Sequence, residues 1–264
     1  MALANVHLSS NNSLKRAISA TLIIPEKKRG PFPVLYLLHG LSDDHTAWTR
    51  FTNIERYVGD IPLIVVMPDS ERGYSVDAVG DPSKRFESLI IDDLIAFVDQ
   101  TFHTRAERSG RAIAGLSMGG YGALRLAFRH PDLFCAAHGF SSGFAFPTRG
   151  PMDAEFRLVF GDGDASGTDY DLFTLATKAK VESLPTLSFD CGVNDFSLAE
   201  NRAFHSRLDD LSIPHSYTEY PGEHNWVYWN EHLLTALPGL LAALGVAAQF
   251  DPNNHLPHRS PPIA

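Results

Sequence analysis

Three apolar runs, Val34-Leu35-Tyr36-Leu37-Leu38, Leu63-Ile64-Val65-Val66-Met67 and Ala112-Ile113-Ala114, constrain most strongly what this chain can fold into. A strand that is apolar at every position has no face to give to water, so it belongs inside a sheet covered on both sides. Between such runs the apolar residues recur at helical spacing. Ile90, Ile91, Leu94, Ile95, Val98 and Phe102 mark an amphipathic helix over 86–102. Short buried strands alternating with helices predict an α/β fold with a mostly parallel central sheet and helices on both faces. Ligand chemistry then belongs at the C-terminal ends of the strands.

The rest of the chain fits this plan. Residues 15–24 alternate loosely and end at Pro25, as a strand in an N-terminal antiparallel part of the sheet, paired with residues 3–8. Trp48, Phe51, Ile54 and Tyr57/Val58 predict a helix from Thr46 to Val58, and His130-Pro131 closes another near Arg129. Further strands are expected over 134–140, 186–191 and 215–220. Helices are expected over 171–180, 197–211 and from about Asn225, the last interrupted and kinked at Pro238. Residues 143–169 are rich in Gly, Asp and Pro without a clear period, which reads as a lid-like insertion. A single domain over 1–249 is expected, followed by a disordered tail over 250–264.

A chain of 264 residues with 44% hydrophobic content can bury a core of this size. Its net charge of -9 and pI near 5.7 provide no basic stripe for nucleic acid. There is no apolar run long enough to span a membrane and no signal-like N-terminus, so a cytoplasmic protein is expected. Cys135 and Cys191, the two cysteines, fall at the start of one parallel strand and the end of the next. That places them roughly 15 Å apart or more, beyond the ~7 Å of a disulfide. Two buried free thiols are expected.

The third apolar run leads into Gly115-Leu116-Ser117-Met118-Gly119, a strand, a sharp turn and a helix. Glycines on either side let neighbouring chain pass close to a strained serine, whose hydroxyl is lifted clear of the sheet. The Met118 N–H then stands at a helix N-terminus, where unpaired donors favour developing negative charge. A serine hydroxyl needs a base within reach and a carboxylate to orient that base. Asp195, after the 186–191 strand, and His224, after the 215–220 strand, supply them in chain order and at the same sheet edge. Asp190, inside its strand, reads instead as a structural carboxylate, and His205, His215 and His232 as ordinary histidines. Gly40 permits a turn that points the Leu41 N–H inward as a second oxyanion donor, with His39 bracing the loop. Gly40, Trp48, Tyr74, Phe144, Phe146 and Trp226 are the candidate substrate-contacting residues.

Several of these segments together resemble the esterase D-type α/β-hydrolases. They are Leu38-His39-Gly40-Leu41 with Trp48, Gly115 to Gly120, Asp171-Leu172-Phe173 with Leu175-Ala176, Asp190-Cys191-Gly192 through Asp195, and Gly222 to Trp226 with Trp229. The group includes tributyrin esterases, S-formylglutathione hydrolases, feruloyl and acetylxylan esterases and the antigen 85 mycolyltransferases. The similarity covers roughly residues 15–245 and is strongest to the small tributyrin esterase branch. It implies a Ser-Asp-His esterase without cofactor, carried by Ser117, Asp195 and His224 with the Leu41 and Met118 amides. It also implies a chain that can self-associate. Gly73-Tyr74-Ser75-Val76-Asp77-Ala78 is similar to a stretch of S-formylglutathione hydrolases, although Met67 to Arg72 replaces the glycine-rich segment usual before it.

The expected activity is hydrolysis of short acyl esters through an acyl-enzyme. S-formylglutathione hydrolysis, acyl transfer to another alcohol, and a non-catalytic binding role on the same fold are the alternatives. Asp162 to Gly167 opens like an EF-hand loop, but position twelve is Phe173 where a bidentate glutamate is needed, so no metal is expected.

Overall fold

The computed structural model describes residues 1–26, 28–148 and 154–250. The apolar runs become β3 (Val34–Leu38), β4 (Ile64–Pro68) and β5 (Arg111–Leu116), each buried throughout. Around them lie β1 (Ala2–Ser9), β2 (Ala17–Ile24), β6 (Ala136–Phe140), β7 (Thr186–Gly192) and β8 (His215–Tyr220). All eight form one sheet in the order β1-β2-β4-β3-β5-β6-β7-β8. The β1/β2 and β2/β4 pairs are antiparallel, and every pair from β4 to β8 is parallel.

Alternation along β3 divides the interior. Val34, Tyr36 and Leu38 join one core cluster with Leu89, Leu94 and Leu124, whereas Leu35 and Leu37 join another with Trp48, Ile54 and Leu237. The second cluster lies under α1 (Ala47–Phe51), α2 (Ile54–Val58) and the long C-terminal helix Trp226–Ala243. The first lies under α3 (Phe86–Ser88), α4 (Ile95–Thr101), α5 (Met118–Arg129), α6 (Ala154–Phe160), α7 (Leu172–Lys178) and α8 (Leu198–Asp210). The C-terminal helix is α9. No helix among the described residues is long and apolar enough to cross a membrane.

The structure corrects four local expectations. The single helix over 46–58 is two short ones, because Thr52 is extended and its hydroxyl donates to the Trp48 carbonyl, while Asn53 N–H donates to Asn230 Oδ1 at 2.8 Å. A π-helical segment, Leu89–Leu94, sits between α3 and α4 in what the spacing reads as one regular helix. Helix α9 runs unbroken through Pro238, with Leu233 and Leu237 on one side and Leu240 and Leu241 on the other packed into the same core. Both thiols are free, but Cys135 is only partly buried. Residues 251–264, which hold most of the expected tail, and 149–153 of the insertion lie outside the described residues.

Behind the sheet a charged cluster ties α3 to α5. Glu87 accepts from Arg125 Nη1 at 2.7 Å, Arg129 Nε at 2.8 Å and, on the same oxygen, His130 at 2.8 Å. Burial pushes its carboxyl up, but His130 and the two guanidiniums outweigh burial and hold it far below its ordinary value of 4.5. A depressed carboxylate adds stability that is complete above its unfolded pKa and is lost as pH falls toward the folded one. Glu87→Gln leaves the buried Arg125 uncompensated, at a cost of about 3 kcal/mol near neutrality. The expected result is a lower Tm at pH 7 and a gap to wild type that narrows below about pH 4.5, read by thermal melts across pH.

Candidate active site

Ser117 joins β5 to α5 with φ 52° and ψ -113°, a conformation that non-glycine residues adopt rarely. The bend is tight enough that a Cβ on Gly119 would stand 2.6 Å from the Leu38 and His39 carbonyl oxygens, and one on Gly115 2.4 Å from the Gly119 oxygen. Only glycine admits those contacts. The Ser117 N–H donates to the Phe140 carbonyl at 2.8 Å, which ties the turn to β6.

The other two groups arrive from neighbouring strand ends. Asp195 follows β7 and His224 follows β8, and the two loops are bonded to each other, Val193 N–H to Tyr220 O at 2.8 Å and Asn194 N–H to Gly222 O at 3.0 Å. Asn225 caps α9 through Tyr228 N–H at 3.1 Å, which fixes where the His224 loop ends. His224 Nε2 lies 3.0 Å from Ser117 Oγ, and its Nδ1 lies 2.9 and 3.0 Å from the two oxygens of Asp195. Burial pushes the Asp195 carboxyl up, but hydrogen bonds from His224 and from the Ser197 N–H and hydroxyl prevail and hold it below its ordinary value. Asp190 points elsewhere. It accepts from Tyr228 Oη at 2.6 Å and pairs with His138 Nε2 at 2.9 Å.

The loop after β3 completes the edge. Ser70 N–H donates to His39 Nε2 at 3.0 Å, so Nδ1 carries the proton and donates to Gly40 O at 2.7 Å. The imidazole thus braces the loop. Among the described residues the Leu41 N–H has no acceptor, and Met118, the first residue of α5, has no intrahelical one.

A cleft of about 540 Å³ opens over Ser117 and His224. Of the six candidate contact residues, Gly40, Phe146 and Trp226 line it. The structure places Trp48, Tyr74 and Phe144 behind that wall. Trp48 is fully buried, donates to Leu38 O at 3.1 Å and supports Trp226 edge-on at 5.3 Å. Tyr74 packs on Phe146 at 5.4 Å, and Phe144 sits between Phe189 and Phe204.

Other lining residues, Phe196, Trp229 and Asp43 among them, are not in the set expected from the sequence. Phe196, 67% exposed, lays its ring 4.2 Å from that of His224, and Trp229 meets the same imidazole edge-on at 5.0 Å. Asp43 is the single acidic side chain of the lining. A large apolar residue directly after Asp195, in a loop past a strand end, is the signal that could have found Phe196.

Residues 11–240 match the Esterase family, described as "Putative esterase". The chain belongs to that family. It is a serine carboxylesterase on the α/β-hydrolase fold, and the esterase is similar to several characterised proteins. The acetyl esterase of Caldicellulosiruptor saccharolyticus is 30% identical over 215 residues, 76% of this chain and 80% of that one. Among solved structures, the fluorophosphonate-binding serine hydrolase FphF of Staphylococcus aureus superposes with a TM-score of 0.84 at 29% identity, over 91% of this esterase and 98% of its own chain. The S-formylglutathione hydrolase FrmB of the same organism gives 0.81 at 28% identity, with the same coverage.

Proposed function

We propose that the esterase cleaves small, uncharged esters of short acyl chains, with Ser117 as nucleophile, His224 as general base and acid, and Asp195 as the group that orients it. The observation that carries this reading is the unbroken hydrogen-bonded series from Ser117 Oγ through His224 to Asp195 at the floor of an apolar cleft. Ser117 Oγ attacks the ester carbonyl as its proton passes to His224 Nε2, and the imidazolium is stabilised by the Asp195 carboxylate. The oxyanion is taken by the Leu41 and Met118 N–H groups. Collapse of the adduct expels the alcohol with the proton from His224, leaving an acyl-Ser117 ester. Water repeats the sequence and releases the acid.

A cleft of this size accommodates a small ester whole, whereas a long chain must leave it. With p-nitrophenyl esters of increasing length, kcat/KM is expected to be highest from acetyl to butyryl and roughly tenfold lower for dodecanoyl. A maximum at the long end overturns the short-chain reading.

The similarity to FrmB favours glutathione thioesters as a second reading. Two observations oppose it. The Gly73 to Ala78 stretch shared with those hydrolases puts Tyr74 behind Phe146 instead of in the cleft. Asp43 also brings an uncompensated negative charge to the site. Among the described residues its carboxylate has no ion pair and accepts no hydrogen bond, while the neighbouring Arg50 is taken by Asp44 at 3.5 Å. A Cβ built on Gly40 would lie 2.9 Å from Asp43 Oδ2 and 3.9 Å from Ser117 Cβ, so the carboxylate shares the nucleophile's niche. At such range two like charges repel by roughly 1 to 2 kcal/mol in a partly wet site. Asp43→Asn is therefore expected to raise kcat/KM for 4-carboxyphenyl acetate about tenfold and to change that for phenyl acetate less than about threefold. High salt should shrink the difference. An equal response of both esters removes Asp43 from specificity.

A further inference from the structure

Far from the cleft, the turn between α8 and β8 brings together three side chains that the ester chemistry leaves unused. His205 and Asp209 stand one helical turn apart on α8, and His215 opens β8. One ligand atom from each can be chosen so that all three lie within 4.8 Å of one another. His205 Nδ1 is 2.7 Å from His215 Nε2, and the Asp209 carboxylate is 3.5 Å from His205 Nε2 and 4.0 Å from His215 Nε2.

We propose that His205, Asp209 and His215 form a binding site for a divalent transition-metal ion of the zinc type. The least mobile member is His215, whose side chain is 4% exposed and stacks on Phe189 with ring planes 10° apart. Its Nδ1–H donates to the Ile213 carbonyl at 2.8 Å, which leaves the Nε2 lone pair directed at the other two residues. A metal-ligating histidine is held in this way, with its distal N–H on a carbonyl that fixes both tautomer and ring. Tetrahedral zinc with bonds of about 2.0 to 2.1 Å sets its ligand atoms about 3.4 Å apart, and one ligand atom from each of the three residues already lies within 4.8 Å of the others. Asp209 is exposed and His205 half-buried, so these two supply the small adjustment that closes the shell. Two imidazoles and one carboxylate suit zinc, and the exposed side is open to a water as fourth ligand.

The site holds the C-terminal end of α8 against the start of the edge strand β8. The segment it clips lies between Asp195 and His224 in the chain, yet it sits at the opposite end of β8 from His224. A bound ion is thus a structural clip, separate from the esterase reaction.

The test uses the full chain stripped with EDTA. Calorimetric titration with zinc chloride is expected to give one ion per chain, and a hundredfold excess over Kd to raise Tm by roughly 5 °C. Cobalt(II) should give the visible absorption of a four-coordinate site. His205→Ala and Asp209→Asn, both far from the cleft, should lose the absorption and the Tm rise while keeping hydrolysis of p-nitrophenyl acetate. On the unmodified protein, histidine ring nitrogen NMR should show zinc moving the His205 and His215 signals first. Binding that survives in both variants, ring signals that move first elsewhere, or no stoichiometric binding at all overturns the proposal. In those cases the two rings are simply hydrogen-bonded to each other.

Discussion

Ser117→Ala is expected to lower kcat for p-nitrophenyl butyrate by about 10³-fold or more and to abolish covalent labelling by a fluorophosphonate. Alanine keeps the backbone bend and the volume of the site but removes the oxygen proposed to bond the acyl group. Whatever rate remains comes from the oxyanion donors and from binding, which act on any attacking water. Because Ser117 Oγ has His224 Nε2 as its hydrogen-bond partner, its loss frees the imidazole without opening a core cavity. The melting temperature should stay within a few degrees of wild type. A folded Ser117→Ala protein that keeps a tenth of the activity rejects the nucleophile assignment.

Asp195, the proposed orienting carboxylate, should matter nearly as much. Asp195 accepts from His224 through both oxygens and from Ser197 through its N–H and hydroxyl, so Asp195→Asn disturbs a fully used carboxylate. The amide cannot stabilise the imidazolium, and its NH₂ group invites the other imidazole tautomer. A fall in kcat of roughly 10² to 10⁴ is expected, with a much smaller change in KM. Asp190→Asn, inside the strand that Asp195 follows, is the matched control. Asp190 is committed to Tyr228 and His138, so its loss should lower Tm and leave kcat within a few fold. Silencing by Asp190→Asn together with full activity in Asp195→Asn reverses the assignment of the carboxylates.

The sequence by itself determined the elements whose physics is local. Continuous apolar runs of five residues bounded by turn signals pointed to strands covered on both faces, and the glycines around Ser117, between an apolar run and a helical segment, pointed to a tight turn. The placement of Ser117, Asp195 and His224 at one sheet edge could be read because each stands just past a strand end of a parallel sheet. Tertiary structure decided whatever depends on the side of a loop a residue presents. Trp48, Tyr74 and Phe144 are aromatic residues near the cleft in sequence and behind it in space, since burial in the core competes with contact to substrate for the same apolar surface. Phe196 and Asp43 reach the cleft through loop geometry that has no period to detect. His205, Asp209 and His215 meet because the turn from α8 into β8 folds a helix end onto the first residue of a strand, and that closure is set by the packing of both elements on the sheet.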